Sequence, residues 1–453
     1  MDLKQFFEIP SLDQWITQLR QDLSEDDFNK LTVDLDIEEI QVISFGHQQN
    51  SSFPKLSPGN FPFTRGTYKE NNDWHIGYSV NVYNEKDANK KALESLMKGS
   101  NLLLFQFTKN DTDLDQLLQG IQLAYIRTEF HVENIVQWES VYRYFENDVP
   151  ASVAILIDPL LQTQQDILTI SNWLKEKQFR AFKIDGKRVL EAGSASTTEV
   201  SFCLSAGHSV LFMLMESGLS IDQSAACVHF SLGIGSDYLT EISKFRAFRT
   251  LWSNIIKAYH PEYLCTYHCE INAHSISINK SLKDPHTNLL RQTTEAMSAI
   301  LGGIEGLVVY PYDRHSEGGS SEFTERMALN VSLILKEESY FDTVIDPMGG
   351  SYTVETLTYH FCEKAWEFFK VIEKKGGMFH QDAVTTLNTK VRNTRQSRIE
   401  KIVHEHSILI GVNKYLNPEE KYGEENEISS AKLLTDYLGM MPLIIENEIN
   451  MSE

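Results

Sequence analysis

Lys187 and Arg188 are the residues of this chain whose types and placing point most directly to chemistry. They follow Phe182-Lys183-Ile184-Asp185, which reads as the end of a short strand, and Gly186, which reads as a turn. Val189-Leu190 and Glu191-Ala192-Gly193 then enter a long helical pattern. In a parallel β/α barrel, residues just past a strand's C-terminal end face the active site. Two adjacent cations there either act on a ligand or fill a space where chemistry once took place. Taken alone, the pair also reads as two solvated charges in a loop.

Other constellations carry weaker chemistry. Cys265 and Cys269 flank His268, but no second ligand pair of standard spacing follows, so no metal site is expected. Gly233-Ile234-Gly235 lacks the third glycine of a dinucleotide fingerprint, since Tyr238 stands there. Gly349-Gly350-Ser351 reads as a structural turn. Glu241, Lys244, Arg246 and Arg249 have helical ion-pair spacing and read mainly as a solvated helix face. Asp313-x-His315-x-x-Gly318 matches the pattern by which certain cobalamin domains present a histidine to cobalt, with the aspartate orienting the imidazole. Such a motif should open a separate α/β domain, and here helices follow it, so no cobalt ligand is expected.

The elements that must position these residues alternate along the chain. Strand-like runs at residues 76–80, 102–107, 123–128, 153–157, 180–184, 228–232, 264–269 and 307–310 are separated by runs of 3.6-residue period. Eight strands interleaved with helices predict an α/β fold, a (β/α)8 TIM-type barrel, over an unusually wide open sheet. The barrel is placed at residues 61–320. Residues 1–60 form an N-terminal arm. In it Ser11 and Gln14 make a capping box, and Leu12, Trp15, Ile16, Leu19 and Leu23 make an apolar helix face that needs cover. Residues 321–453 form a helical extension, with a helix face of Leu357, Phe361, Ala365, Phe368, Phe369 and Ile372, and an acidic tail read as a mobile end or a partner contact.

Composition bounds the partners. The chain has 453 residues and a net charge of −22, which argues against nucleic acid and anionic membrane. No stretch approaches the roughly 18 uninterrupted apolar residues of a membrane span, and the N-terminus has no signal-peptide pattern. Five sparse cysteines fit reduced thiols and a cytoplasmic location.

Several stretches together resemble the methylmalonyl-CoA mutase family. They are Thr64-Arg65-Gly66-x-Tyr68, Glu191-Ala192-Gly193, Glu241-Ile242-x-Lys244-x-Arg246-Ala247-x-Arg249-x-x-Trp252, Asn288-x-x-Arg291-x-Thr293 with Glu295-Ala296, Leu301-Gly302-Gly303, Asp346-Pro347-x-Gly349-Gly350-Ser351-Tyr352-x-Val354-Glu355, and Gly411-Val412-Asn413-Lys414-Tyr415. They occur in family order across nearly the whole chain. The resemblance implies a substrate barrel whose active members work with a C-terminal cobalamin domain and adenosylcobalamin, the cofactor doing the radical chemistry.

The departures from that pattern set the functional expectation. Lys187 and Arg188 stand where the resemblance implies Tyr-His. The family's Arg-Thr-His-x-Gln of the seventh strand is read at Thr266-Tyr267-His268-Cys269-Glu270, and the eighth-strand Thr-Gln-Ser-Leu-His-Thr-Asn at Ile304 to Tyr310. The Tyr-rich segment after Thr64-Arg65-Gly66 is shortened, with no equivalent of its active-site tyrosine, and the chain is read as stopping where the linker to the cobalamin domain would begin. No residue is therefore expected to be catalytic or to bind cofactor or metal. Lys187, Arg188, Glu270 and Glu305 are expected to plug a degenerate barrel mouth. The reading is a small, non-catalytic subunit of a heterodimeric mutase, interconverting succinyl-CoA and methylmalonyl-CoA, that stabilises a catalytic large subunit holding adenosylcobalamin. Two alternatives stay open: a substrate-binding subunit whose cobalamin domain is a separate chain, and an unrelated barrel lyase using Lys187 as an imine-forming amine.

Overall fold

A computed structural model describes residues 10–43, 45–49, 53, 56–145, 149–177, 179–282, 284–315, 319–416 and 436–450. A two-stranded antiparallel hairpin, β1 (Thr32–Leu35) and β2 (Ile40–Ile43), precedes eight parallel strands. These are β3 (His75–Val82), β4 (Leu102–Phe107), β5 (Arg127–Val132), β6 (Val153–Ile157), β7 (Phe182–Asp185), β8 (Val228–Ile234), β9 (Ile271–Ser275) and β10 (Gly306–Val308). Each pairs with the next, and β10 pairs with β3, so the barrel closes as expected.

Two strands lie elsewhere than the sequence pattern predicts. The seventh barrel strand is β9, not residues 264–269. The expected stretch holds a short 3-10 turn, Leu264–Tyr267, because Asp222 accepts from Glu262 N, Tyr263 N and Thr266 Oγ1 and winds it up. The third strand begins at Arg127, after another 3-10 turn at Leu123–Tyr125. In β5 the polar residues Arg127, Glu129 and His131 alternate with Thr128, Phe130 and Val132, and all six are buried. Phe130 packs in the shell with Phe105 and Phe107, while Glu129 and His131 bond to residues of other strands inside the barrel. A pattern read for apolar residues inside takes this strand inside out.

The arm divides in two. Ile40 and Val42 of the hairpin are buried, and β2 packs on the helix Tyr352–Lys374. The hairpin turn also serves a helix far away in sequence. Glu38, 7% exposed, accepts from Ser196 N at 2.9 Å and Thr197 N at 2.8 Å. It thereby caps the helix Ser196–Glu216, whose own N-cap residue, Ala195, offers no side-chain acceptor. That helix is long and apolar enough to cross a bilayer, yet most of it is buried within the fold. The helix Leu12–Asp22 is different. Its capping box forms as predicted, but none of its residues is buried and Trp15 remains 44% exposed.

Removing the Glu38 carboxylate strands two buried N–H groups at a helix start. Glu38→Ala should therefore cost about 2 kcal/mol in chemical denaturation. An unchanged midpoint would mean that the cap contributes nothing.

Candidate site at the barrel mouth

The site begins where β7 ends. Gly186 is not a turn but the first residue of a helix, Gly186–Glu191, so Lys187 and Arg188 lie in its first turn rather than in a loop. A side chain at Gly186 would collide with Cys203 Sγ, so only glycine lets this helix start against its neighbour. Lys187 is 14% exposed, with Nζ 3.7 Å from Glu191 Oε2 and 5.5 Å from the Tyr310 ring centre. Burial works against its charge, but Glu191, Tyr310 and Asp185 outweigh burial and hold its pKa above the usual value. The amine is protonated at neutral pH, which removes the lone pair an imine-forming lysine needs. Arg188 leans the other way. Its guanidinium lies 4.4 Å over the Tyr437 ring, and Nη2 donates to Asp436 O at 3.0 Å.

A polar column rises through the barrel to this point. Glu129, fully buried, accepts from Asn272 Nδ2 at 2.8 Å and pairs with His131 Nε2 at 3.0 Å. His131 Nδ1 meets Lys183 Nζ at 3.3 Å, and Lys183 pairs with Asp185 at 3.1 Å. Those partners fix the neutral tautomer of His131, with Nε2 donating to Glu129 and Nδ1 accepting from Lys183. Burial and the Lys183 charge hold the His131 pKa below the usual value. Burial would raise the Glu129 pKa, but His229, His131 and Arg127 hold it well below normal. Asp185 behaves alike, its burial overcome by Lys183, Lys187 and Arg188. Asp158 goes the other way: burial pushes its pKa up to about 6, against the pull of Lys183.

Glu270 and Glu305 do not belong to this mouth. Glu270 precedes β9 and Glu305 precedes β10, so both stand at the N-terminal ends of their strands. The five residues of β9, at about 3.3 Å each, put Glu270 roughly 15 Å from the mouth. Glu270 pairs there with Arg127 and Arg180. Glu305 accepts from Thr67 Oγ1 at 3.1 Å and Ile271 N at 2.9 Å. The expected plug took Glu270 from the misplaced seventh strand and Glu305 from the wrong end of the eighth. Among the described residues, Asp185 and Glu191 are anions that answer Lys187 and Arg188. β9 carries a buried histidine of its own, His274. His274 Nδ1 lies 3.3 Å from Tyr310 OH, and burial with the Lys187 charge holds its pKa well below normal.

Within the acidic end of the chain, read from sequence as a mobile end or a partner contact, the described residues 436–450 return to the mouth. Leu443 N donates to Glu191 O at 2.6 Å, and Glu446 accepts from Ser281 Oγ at 2.8 Å and Leu282 N at 2.7 Å. Leu443 and Ile445 pack with Leu190, Ile276, Ile278, Ile399 and Ile402. Tyr437 is 1% exposed and faces Asp158, without a well-aligned hydrogen bond between them. This strap has no periodic pattern to announce it. The column did leave a signal, the period-two polar residues Arg127-x-Glu129-x-His131 and Lys183-x-Asp185.

The remaining motifs are structural. Lys244, Arg246 and Arg249 are at most 2% exposed, not a solvated face. Lys244 bridges Glu199 at 3.0 Å, Glu241 at 2.5 Å and Gly233 O at 2.7 Å, so the Gly233 loop has no free cradle for phosphate. Arg246 joins Asp346 and Glu355, and Asp346 also holds Arg65 at 2.7 Å. Gly349 lies flat against that Arg65 guanidinium. Arg249 donates to Phe63 O, Gly302 O and Gly303 O. Burial with the Arg314 charge lowers the His315 pKa to about 4; Gly318, which completes its motif, lies outside the described residues. Among the described residues no group of three or more His, Cys, Asp or Glu is placed to hold a metal ion. Cys265 is exposed and His268 packs edge-on against Phe63 at 4.5 Å.

Comparison with known proteins agrees with the sequence motifs. The family model for methylmalonyl-CoA mutase matches residues 151–436. The methylmalonyl-CoA mutase small subunit of Porphyromonas gingivalis is 31% identical, over 93% of this chain and 72% of its own length. The small subunit from Propionibacterium freudenreichii subsp. shermanii is 28% identical, over 71% of this chain and 54% of its own. A methylmalonyl-CoA mutase of Rhizobium meliloti is 30% identical, over 57% and 36%. The chain thus spans less than two thirds of the length of the latter two. A dihydropteroate synthase structure from Xanthomonas albilineans, at 12% identity and a TM-score of 0.32, covers 58% of this chain and 92% of its own; it is too remote to bear on the site.

Asp158 gives the mouth a distinctive pH dependence. Its pKa is about 6 folded against about 3.9 in an unfolded chain. The folded state holds this proton more tightly, so the carboxylate costs on the order of 2 kcal/mol above pH 6, and nothing below pH 4 where both states are protonated. Asp158→Asn, which keeps the acceptor for Leu160 N, should raise the melting temperature at pH 8 and leave it unchanged near pH 4. An equal shift at both pH values would show that the effect is not the buried charge.

Proposed function

The chain belongs to the methylmalonyl-CoA mutase family, and on that premise we propose that it is the small, non-catalytic subunit of a two-chain mutase. Its partner is a large catalytic chain, which holds adenosylcobalamin and interconverts succinyl-CoA and methylmalonyl-CoA. This chain stabilises that partner and works in the cytoplasm. The single observation that carries the reading is the fate of Arg188. It stands where the family resemblance implies the histidine that hydrogen-bonds the thioester carbonyl, yet it is tied to Asp436 and Tyr437 of the strap. A fixed guanidinium spent on the chain's own backbone is not available to polarise a carbonyl.

Two further features support it. The barrel axis is filled by paired charges from Glu270 up to Asp185, where a substrate barrel needs room. Asp436 and Pro442 of the strap stand at the mouth, on the face where a corrin would have to meet the barrel. The corrin's chemistry, homolysis to a substrate-abstracting radical, belongs to the cofactor. On this chain Asp313 Oδ1 and His315 Nδ1 are buried without hydrogen bonds, but His315 sits at the barrel mouth among Lys187, Arg314 and Lys280. Around it the described residues offer no second parallel sheet on which a corrin could rest. The residues present do not fit the group. The alternative of a substrate-binding subunit served by a separate cobalamin chain needs an open mouth and is less well supported for that reason. An unrelated lyase is set aside by the family assignment and by the protonated Lys187.

The contact with the large subunit is assigned to the helix Leu12–Asp22, none of whose residues is buried and whose Trp15, though it meets the Phe45 ring at 6.2 Å, stays 44% exposed. The hairpin after it is part of the body, so deleting the whole arm would confuse assembly with folding. Trp15→Ser with Leu19→Asp should instead weaken assembly with the large chain at least tenfold in analytical ultracentrifugation, about 1.4 kcal/mol, with the melt of the isolated chain unchanged. Unaltered assembly would move the interface elsewhere.

Lys187→Tyr with Arg188→His restores the pair the family resemblance implies. Carbonyl polarisation is worth a few kcal/mol, but the polar column and the strap remain. No turnover between succinyl-CoA and methylmalonyl-CoA is expected from the isolated double mutant with added adenosylcobalamin. Turnover would mean that the barrel is still a substrate site.

A further inference from the structure

The hairpin of the arm is covered on one strand and open on the other. Side chains alternate across the two faces of a strand, so Val33 and Leu35 of β1 share a face with their register partners, Val42 and Ile40 of β2. Ile40 and Val42 are buried, and β2 packs on the helix Tyr352–Lys374, but Val33 stays 46% exposed. Thr32 and Asp34 are exposed as well, and among the described residues β1 pairs with no strand except β2. Its outer edge therefore offers unpaired backbone N–H and C=O groups beside an uncovered apolar side chain, which is a template for one more strand.

Charge selects the kind of strand that fits. Residues 10–43 hold nine Asp or Glu against two Lys or Arg, a net charge of −7. At the hairpin turn Asp36 and Glu39 are answered by Lys401 and Lys390 of the helix Gln381–Val403, whereas Asp34, on the open strand, has no cation partner among the described residues. A groove of about 550 Å³ lies between the hairpin and the helix Tyr352–Lys374. Asp34, Asp36, Glu39 and Glu363 line it with Lys364 and with His360, which pairs with Glu363 at 3.0 Å. A second copy of this chain would set one acidic edge against another, and like charges directly opposite each other destabilise a strand pair.

We propose that β1 takes a third strand from the large chain, an extended segment with apolar residues beside Val33 and Leu35 and a lysine or arginine facing Asp34. The proposal rests on the subunit role, and it adds a backbone-paired contact to the one assigned to the helix Leu12–Asp22.

Hydrogen exchange at single-residue resolution, on the isolated chain and on the purified two-chain complex, tests it. Along an edge strand every second residue turns its N–H toward a new neighbour, so alternate amides of residues 32–35 should exchange at least about tenfold more slowly in the complex. Side chains laid across the hairpin without strand pairing would not produce that alternation. Asp34→Lys puts a cation where the incoming one must sit, and should weaken assembly at least about tenfold in analytical ultracentrifugation. The melt of the isolated variant should be unchanged, because the residue is exposed; the exchange pattern of the unmodified chain decides even if the variant misfolds. Unchanged exchange of β1 in a complex that does form overturns the proposal and leaves the subunit role standing. Failure to form any complex with the large chain overturns both. Slowing of the same amides in the concentrated isolated chain would give the edge to a second copy, and that result, or undiminished assembly of a folded Asp34→Lys chain, overturns the proposal equally.

Discussion

A carboxylate without solvent in the middle of a β-barrel must be answered on every side, and Glu129 imposes that demand on its surroundings. Desolvating such a charge costs several kcal/mol unless partners and hydrogen bonds return it. Here Asn272, His131 and Arg127 do so, with His229 3.9 Å away. Each partner then needs its own. Arg127 reaches down to Glu270, which also takes Arg180. His131 reaches up to Lys183, and Lys183 to Asp185. The result is a column of alternating charge from one end of the barrel to the other, filling an axis that ordinary barrels fill with branched apolar side chains. Its upper end fixes the electrostatics of the mouth: Asp185 stays ionised because Lys183, Lys187 and Arg188 surround it.

The shell around the column has its own charged struts. Lys244 ties Glu199 and Glu241 to the backbone of the β8 loop. Arg246 and Arg65 converge on Asp346, and Arg249 gathers the carbonyls of the Phe63 and Gly302-Gly303 turns. Most of these residues carry the resemblance to the family, and none of them lines the mouth cavity, whereas Glu191, which also carries it, does. They hold helices and turns to the barrel, a task independent of what the mouth does. The mouth itself departs at Lys187 and Arg188, and Asp436 and Pro442 of the strap stand at it. A chain can therefore keep the family's frame while its site takes another use.

Much of the frame was legible in the sequence. Six of the eight strands fall where the apolar runs place them, because those strands do bury apolar residues against the helices. The two displaced ones show the limit. β5 turns charged residues inward, and residues 264–269 alternate like a strand while Asp222 folds them into a turn. The second error moved Glu270 from the bottom of the barrel to its mouth, whereas Glu305 precedes the eighth strand in the sequence reading and in the structure alike. Buried lysines and arginines with helical spacing looked like a solvated face, since spacing reports the helix but not what lies opposite it. The strap was invisible because its bonds run to Glu191, Ser281 and Arg395, far away in sequence.

The number of acyl-CoA sites in the assembled protein tests most directly whether the filled barrel has left catalysis. Titrating the purified two-chain complex with a non-reactive CoA thioester, by calorimetry or equilibrium dialysis, counts those sites without requiring turnover. A barrel occupied by its own charges and strap admits none, so one site per pair of chains is expected. Two sites per pair would contradict this reading and return Lys187 and Arg188 to a working substrate pocket.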